Sequence, residues 1–131
     1  MSRAAWSANG GSASATITNE TRGTILASRA RFALSGRERA RGLLGLDRLP
    51  EGEALVFPRC SQVHTFGMRF AIDVLFLDGE GRVVHMVRGM APRRITRWCA
   101  RGRTVVELPE GAIDASGTGP GDTLALCPPA G

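Results

Sequence analysis

Cys60, His64 and Met68 are the residues whose side chains and spacing most directly suggest chemistry. They lie four residues apart, and their thiol, imidazole and thioether groups are ligands that suit copper(I) or zinc. On a strand, successive members would lie about 13 Å apart, which is too far to share one ion. On a helix the step along the axis is only about 6 Å. A metal site therefore requires a helix or a folded loop here, and Pro58 and Gly67 favour a loop.

Two other interpretations of the same residues stay open. In the first, Cys60 and Met68 pack inward and His64 is a hydrogen-bonded loop residue that can contact a ligand. In the second, Cys60 is a nucleophile that His64 activates, or that His85 activates if its hairpin folds back. Nothing around Cys60 resembles a known cysteine-enzyme signature. We therefore expect binding rather than catalysis, and no resident metal or other cofactor.

Two acidic residues lie inside apolar segments. Asp73 is the second residue of the run Ile-Asp-Val-Leu-Phe-Leu, and Glu107 lies within Val-Val-Glu-Leu. A buried carboxylate is costly unless it is paired or hydrogen-bonded. Arg41, Arg69 or backbone amides could satisfy Asp73, which would make its role structural. If both carboxylates instead faced one pocket, they could act as a general acid and base.

The densest basic stretch is Pro92-Arg93-Arg94-Ile95-Thr96-Arg97-Trp98. Arginine forks bind carboxylate and phosphate, and a tryptophan can stack on a ligand or on a guanidinium. The alternative is a solvated loop. The stretch Gly117–Asp122 is rich in glycine but lacks the Lys-Ser/Thr of a P-loop, so we expect a turn. Together these arguments predict ligand contacts from His64, Met68, Arg69, Asp73, Arg93, Arg94 and Glu107.

The composition is that of an ordinary single globular domain. The chain has 131 residues, of which 43% are hydrophobic and 22% charged, and its net charge is +5. All 17 basic residues are arginine, and they are scattered along the chain. A clustered basic stripe with aromatics is absent from the sequence, so we expect no nucleic-acid partner. The sequence has three widely spaced cysteines and no apolar run long enough for a membrane span. We therefore expect free thiols and a cytoplasmic location, and we also expect a monomer.

Strand and turn patterns dominate the predicted elements. Alternating apolar residues and turn residues predict strands near 16–19, 24–27, 54–57, 72–77, 82–87, 104–108 and 123–127. The acidic-glycine turn at 78–81 predicts the clearest hairpin. Ser35 as a cap, Glu38 three residues later and apolar residues at helical spacing predict one short helix over about 36–45. Residues 1–14 read as a flexible arm, before a globular domain over 15–128.

These elements predict an α+β, β-rich fold: a single compact domain with a curled or barrel-like, mostly antiparallel sheet. An ordered set of segments then carries a family resemblance over roughly residues 17–127. The set is Arg37–Leu44, Ile72–Asp78, Pro92, Glu107-Leu108-Pro109 with Gly111, and Gly121-Asp122. Because it contains this ordered set of segments, the chain resembles the bacterial and archaeal domain-of-unknown-function family 192.

The resemblance implies a small β-rich domain and no particular reaction. Many relatives resemble exported or membrane-associated proteins with a leader, whereas residues 1–14 here contain no apolar leader region. Relatives also carry Trp-Met-Lys-Asn-Thr where this chain has His64-Thr65-Phe66-Gly67-Met68, so a role of that asparagine does not transfer.

Three functions are therefore open. The first is a non-catalytic binding domain for a small anionic ligand or a peptide segment, with a cleft near 60–73 and Arg93/Arg94. The second is a soft-metal-binding or cysteine-dependent enzyme at Cys60 and His64. The third is a structural partner in an envelope or pilus-type assembly, which only the exported relatives suggest.

Overall fold

A computed structural model describes residues 15–34 and 42–127. This part of the chain contains seven strands and one short helix. The strands are β1 (Ala15–Asn19), β2 (Thr24–Phe32), β3 (Glu53–Pro58), β4 (Ile72–Leu77), β5 (Val83–Met90), β6 (Thr104–Pro109) and β7 (Leu124–Cys127). The helix, α1 (Ala112–Ser116), lies between β6 and β7.

All seven strands form one sheet in the order β5-β4-β6-β3-β2-β1-β7. Neighbouring strands are antiparallel except β2 and β3, which are parallel. The sheet curls until its two edges meet at one end, where Arg82 bridges Thr123 and the Val83 amide donates to the Asp122 carbonyl over 2.8 Å. The result is a half-barrel, and the predicted β-rich, mostly antiparallel fold class is confirmed.

Each observed strand overlaps a segment that the sequence predicted. The two short hairpins turn where the chain has glycine at positive φ: Gly23 at 72° between β1 and β2, and Gly81 at 83° between β4 and β5. Glycine adopts this conformation without steric cost, so the local sequence determines both turns. The main difference is β2, which continues to Phe32 and there pairs in parallel with β3.

The sheet buries a hydrophobic cluster on each face. One cluster includes Ile17, Leu75, Leu77, Val106, Leu108 and Ile113. The other includes Leu43, Phe57, Val63, Val74, Phe76 and Val105. Every residue of β4 is buried, and β4 is paired on both sides, by β5 and β6. Burying one such side chain contributes about 1.5–3 kcal/mol, so the clusters fix the sheet and the loops packed on it.

The helix α1 was not predicted from the sequence. A loop was expected over 116–122, whereas Ser116 is the last residue of the helix. Asp73 explains why so short a helix forms. One carboxylate oxygen accepts from the Gly111 amide (3.1 Å) and the Ile113 amide (2.9 Å). The other accepts from the Gly89 amide over 2.9 Å, where β5 bulges and Gly89 has φ of 57°. The acid thus holds together a helix start and a bulge from distant parts of the chain.

Two sequence predictions fall wholly or partly on residues outside the described ranges. The arm over 1–14 lies outside them, as do residues 36–41 of the helix predicted over about 36–45. Residues 42–45, which that helix would include, form a turn. Across 15–34 and 42–127, no helix is long and apolar enough to cross a membrane.

Candidate ligand-binding site

Two loops that pair with each other build the candidate site. Residues 61–65 run antiparallel to residues 94–99, and we call these segments the paired loops. The Thr65 amide donates to the Arg94 carbonyl (2.9 Å), the Thr96 amide to the Val63 carbonyl (2.8 Å) and the Cys99 amide to the Ser61 carbonyl (2.9 Å). His64 and Ile95 form a β-bridge in the middle. Backbone hydrogen bonds therefore hold the predicted loop around His64 in the same way as they hold a pair of strands.

Thr65 anchors the loop pair to the rest of the fold. Its buried hydroxyl donates to the Ala91 carbonyl over 2.6 Å and accepts from the Arg94 amide over 3.0 Å. The Met68 amide then donates to the Thr65 carbonyl over 3.1 Å. This turn contains Gly67 at φ of 85°, and a Cβ there would lie 3.0 Å from Leu44 Cδ2. Glycine lets the turn pack directly on residues 42–44.

Beneath this turn lies a cavity of about 210 Å³. Its described lining is mostly apolar, with four side chains that carry polar or sulfhydryl groups. The lining residues are Gly42, Leu43, Leu44, Phe57, Cys60, Gln62, Val63, His64, Phe66, Met68 and Glu107. Cys60, His64 and Met68 are thus brought to one pocket by a folded loop. Glu107 joins them from the sheet.

Glu107 is the most unusual group in this cavity. It lies in β6 opposite Leu55 of β3 and Val74 of β4, on the face that carries the second cluster. The residue is only 4% exposed, and its Oε1 atom has no hydrogen-bond partner among the residues that the structure describes. Burial raises the pKa of Glu107 to about 8. At neutral pH the carboxyl is therefore mostly protonated and can donate a hydrogen bond to a ligand.

The Cys60 thiol does not form the nucleophile–base pair considered from the sequence. It donates to the Gln62 carbonyl over 3.2 Å. The His64 ring lies 5.5 Å from the Phe66 ring, between centroids, at the exposed rim of the pocket. His85 lies on β5, 5.3 Å from the Phe76 ring, and lines a different groove. Within the described ranges, no three His, Cys, Asp or Glu side chains converge as a metal-binding group.

Asp73 in β4 is next to the residue that lies opposite Glu107 in β6, but its side chain points to the other face of the sheet. Glu107 is opposite Val74, whereas Asp73 is opposite Leu108, so the two acids point to opposite faces of the sheet. The three amides described above satisfy the Asp73 carboxylate. The structure therefore does not bring the two carboxylates to one pocket, and the acid–base pair considered from the sequence does not form.

None of the predicted arginine contacts lines this pocket. Arg69 pairs with the exposed Asp47 over 2.9 Å. Arg94, on the paired loops, and Arg93, just before them, are exposed, and Arg93 has φ of 65°. Arg94 lines the groove that also contains His85. The lining residues that the sequence did not single out for the site include Leu43, Leu44 and Phe57, because their proximity depends on long-range packing. The sequence signal for Glu107 is an acid flanked on both sides by strand-forming apolar residues, and Asp73 shares this signal.

The half-barrel with a small apolar pocket defines a β-rich, single-domain protein. Two solved structures share this fold. One is a protein of unknown function from Novosphingobium aromaticivorans, at 20% identity and a TM-score of 0.72, with 86% of this chain and 83% of that chain covered. The other is a putative transcription regulator from Sinorhizobium meliloti, at 19% identity and a TM-score of 0.75, with 91% and 98% covered. At such identities the likeness shows the fold alone.

Residues 17–126 match the family DUF192, described as "Uncharacterized ACR", and the chain belongs to this family. The resemblance drawn from the ordered sequence segments is thereby confirmed. No curated protein sequence matches the chain.

Proposed function

We propose that the protein is a non-catalytic binding domain whose cavity beneath the paired loops takes a small, largely apolar molecule. Glu107 would donate one hydrogen bond to that molecule. The observation that carries the proposal is the buried Glu107 oxygen without a partner, in a cavity lined mostly by apolar side chains. A buried polar atom without a partner costs about 1–3 kcal/mol, and a ligand that supplies the partner recovers that cost.

The size of the cavity limits the ligand to about one ring. An apolar cavity of about 150 Å³ is large enough to hold benzene. The present cavity, at about 210 Å³, is somewhat larger. The apolar walls would enclose the ring, and a hydrogen-bond acceptor on the ring would meet the protonated Glu107.

A neutral ligand suits this cavity better than the small anion expected from the sequence. The described lining contains no arginine, and His64 lies at its rim. Burying an anion without a cationic partner is costly. An ionised Glu107 would also repel an anion, whereas it would not repel a neutral ligand.

The test is the binding of four one-ring or two-ring probes: benzamide, phenol, indole and the anion benzoate. Binding is followed by protein-observed NMR at pH 6 and pH 9, on either side of the Glu107 pKa of about 8. We expect benzamide to bind about tenfold more weakly at pH 9, since one hydrogen bond is worth about 1.4 kcal/mol. Glu107→Gln keeps a donor and should bind equally at both pH values. Glu107→Leu should bind weakly at both, and exposed Glu110→Gln should behave as the wild type.

Two results would contradict the proposal. The first is that none of the three neutral probes shifts the resonances of the cavity residues at millimolar concentration. The second is that benzoate binds more tightly than benzamide at pH 6.

A soft-metal site is the second candidate, because Cys60, His64 and Met68 line the same cavity. Titration with copper(I) against a chromophoric chelator tests it, with Cys60→Ala as the matched variant. Tight binding by the wild type that Cys60→Ala abolishes and Glu107→Leu retains would support the metal over the organic ligand. Equal, negligible binding by the wild type and Cys60→Ala would exclude it.

We also propose that the chain acts as a cytoplasmic monomer. The three cysteines are free thiols, which supports a reducing compartment. Light scattering after size-exclusion chromatography tests the oligomeric state, and a stable dimer would contradict this part of the proposal.

A further inference from the structure

The strand β5 forms one edge of the sheet. It pairs with β4 on one side. On its other side, contacts to residues 121–124, at the start of β7, involve Arg82 and Val83, together with Gly81 just before them. Within the described residues, no strand pairs with the outer side of β5 from Val84 to Met90. An unpaired strand edge presents amide and carbonyl groups that another extended chain can use.

A groove of about 470 Å³ lies between β5 and the loop over 94–97. The apolar side chains that line it include Val87, Met90 and Ile95. Arg88, Arg94 and Arg97 also line it, and no acidic residue does among those that the structure describes. Arg94 and Arg97 belong to the basic stretch 92–98 that the sequence singled out, and the fold adds Arg88 from β5.

The surroundings of the groove have the same character. The segment 91–103 contains five arginines and no acidic residue. Ile95 is 60% exposed and Trp98 is 66% exposed, so two large apolar side chains flank the arginines. Arg88 Nε already contacts the Asp114 carboxylate over 2.8 Å across the surface. The groove thus combines an open strand edge, cations and exposed apolar side chains.

From these observations we infer that β5 and this groove form a docking site for an extended acidic segment of a partner protein. The segment adds to the sheet as a strand beside β5. Its backbone pairs with the open edge, and its carboxylates contact Arg94 and Arg97. Its apolar side chains, which alternate with the acids along a strand, pack on Ile95 or Val87.

A peptide fits these features better than a nucleic acid does. A strand edge offers donors and acceptors in alternation, which a phosphate backbone cannot pair with, since phosphates only accept. Sequence-tolerant binding of single-stranded nucleic acid also relies on several stacking aromatics. Trp98 is the one tryptophan in the described ranges.

The test uses a capped peptide of alternating glutamate and valine, added to the full chain and followed by amide NMR. Two control peptides accompany it. One carries N-methyl groups on alternate amides, so that it keeps the charge but cannot pair as a strand. The other has lysine in place of glutamate. A ten-nucleotide oligo-dT is the nucleic-acid probe.

The expected result is that only the first peptide shifts the amide signals of β5 and slows their hydrogen exchange. The double variant Arg94→Glu, Arg97→Glu should weaken this binding about tenfold or more. The matched double variant Arg31→Glu, Arg48→Glu has the same net charge but leaves the groove and the segment 91–103 unchanged, and it should bind nearly as the wild type does.

Three results would overturn the inference. One is no change in the β5 amides at millimolar peptide. The second is equal binding of the N-methylated peptide, which would show that charge alone attracts it. The third is tighter binding of oligo-dT at the same residues, which would identify a nucleic-acid surface instead.

Discussion

Asp73 and Glu107 are buried acids on adjacent strands, and they differ in their hydrogen-bond partners. Three backbone amides donate to Asp73, whereas one oxygen of Glu107 has no partner within residues 15–34 and 42–127. The two residues also face opposite sides of the sheet. One acid therefore holds elements together, and the other is left for a ligand.

Glu107 should make the stability of the protein fall as pH rises. Its pKa is raised to about 8 in the folded chain, from an ordinary value of 4.5. Between those values the folded state holds a proton that the unfolded state has released. The free energy of unfolding is therefore highest below pH 4.5 and declines until about pH 8, by at most about 5 kcal/mol. Urea unfolding at several pH values measures this decline.

The matched variant for that measurement is Glu107→Gln, which cannot ionise and should show a flatter profile over the same interval. Glu110→Gln, on the surface, should keep the wild-type profile. Parallel profiles for the wild type and Glu107→Gln would show that the carboxyl is not buried in a way that raises its pKa.

Replacing Glu107 by leucine should stabilise the ligand-free protein. The substitution removes the unpartnered oxygen and places an apolar side chain among Leu55, Val74 and Phe57. We expect a gain of about 1–3 kcal/mol at pH 7, together with loss of benzamide binding. Thermal unfolding and NMR titration of the same sample measure both. A large loss of stability would instead indicate that Glu107 has a structural partner.

Asp73→Asn should destabilise the fold without changing the pocket. Asparagine offers one acceptor oxygen in place of two and turns an NH₂ group toward an amide. The expected loss is about 2–4 kcal/mol, since hydrogen bonds to a charged group are worth about 1.5–3 kcal/mol each. Exposed Asp114→Asn is the control. If Asp73→Asn kept its stability but no longer bound benzamide, Asp73 would be a ligand contact instead.

Asp122 should contribute stability that is lost in acid. Burial alone would raise its pKa, but hydrogen bonds from Asn19, Gly119 and Arg22, with the charge of Arg22, hold the pKa below its ordinary value. Its contribution is therefore complete above the unfolded-state pKa of about 3.9 and declines as pH falls through the lower folded value. Relative to the wild type, Asp122→Asn should lose more free energy of unfolding near pH 6 than near pH 3. An equal loss at both pH values would show that the effect does not come from the ionisation of Asp122.

The strands could be predicted from the sequence because their signals are local. Apolar alternation and glycine turns lie within a few residues of each other, as around Gly23 and Gly81. The helix α1 could not, because it has only five residues and depends on amide bonds to Asp73, almost forty positions away. The pocket also depends on distant parts of the chain: the sequence grouped Cys60, His64 and Met68 by their spacing but singled out Glu107 separately. Only the packing of the paired loops on the sheet shows that they share a cavity and that Asp73 does not.

The arginines illustrate the same limit. The sequence singled out the stretch 92–98, which contains Arg94 and Arg97, but gave no reason to group Arg88 with them. The register of the paired loops and the bulged edge strand β5 places all three around one groove. The position of Arg88 beside the other two follows from long-range contacts.

The central claim is that Glu107 is a protonated group in the cavity and available to a ligand. The most direct measurement is the carbon-13 chemical shift of its carboxyl carbon, followed against pH with and without saturating benzamide. We expect a transition near pH 8 in the free protein and at a higher pH with benzamide, because a bound acceptor stabilises the protonated form of Glu107. A transition near pH 4.5, or one that benzamide leaves unchanged, would contradict it.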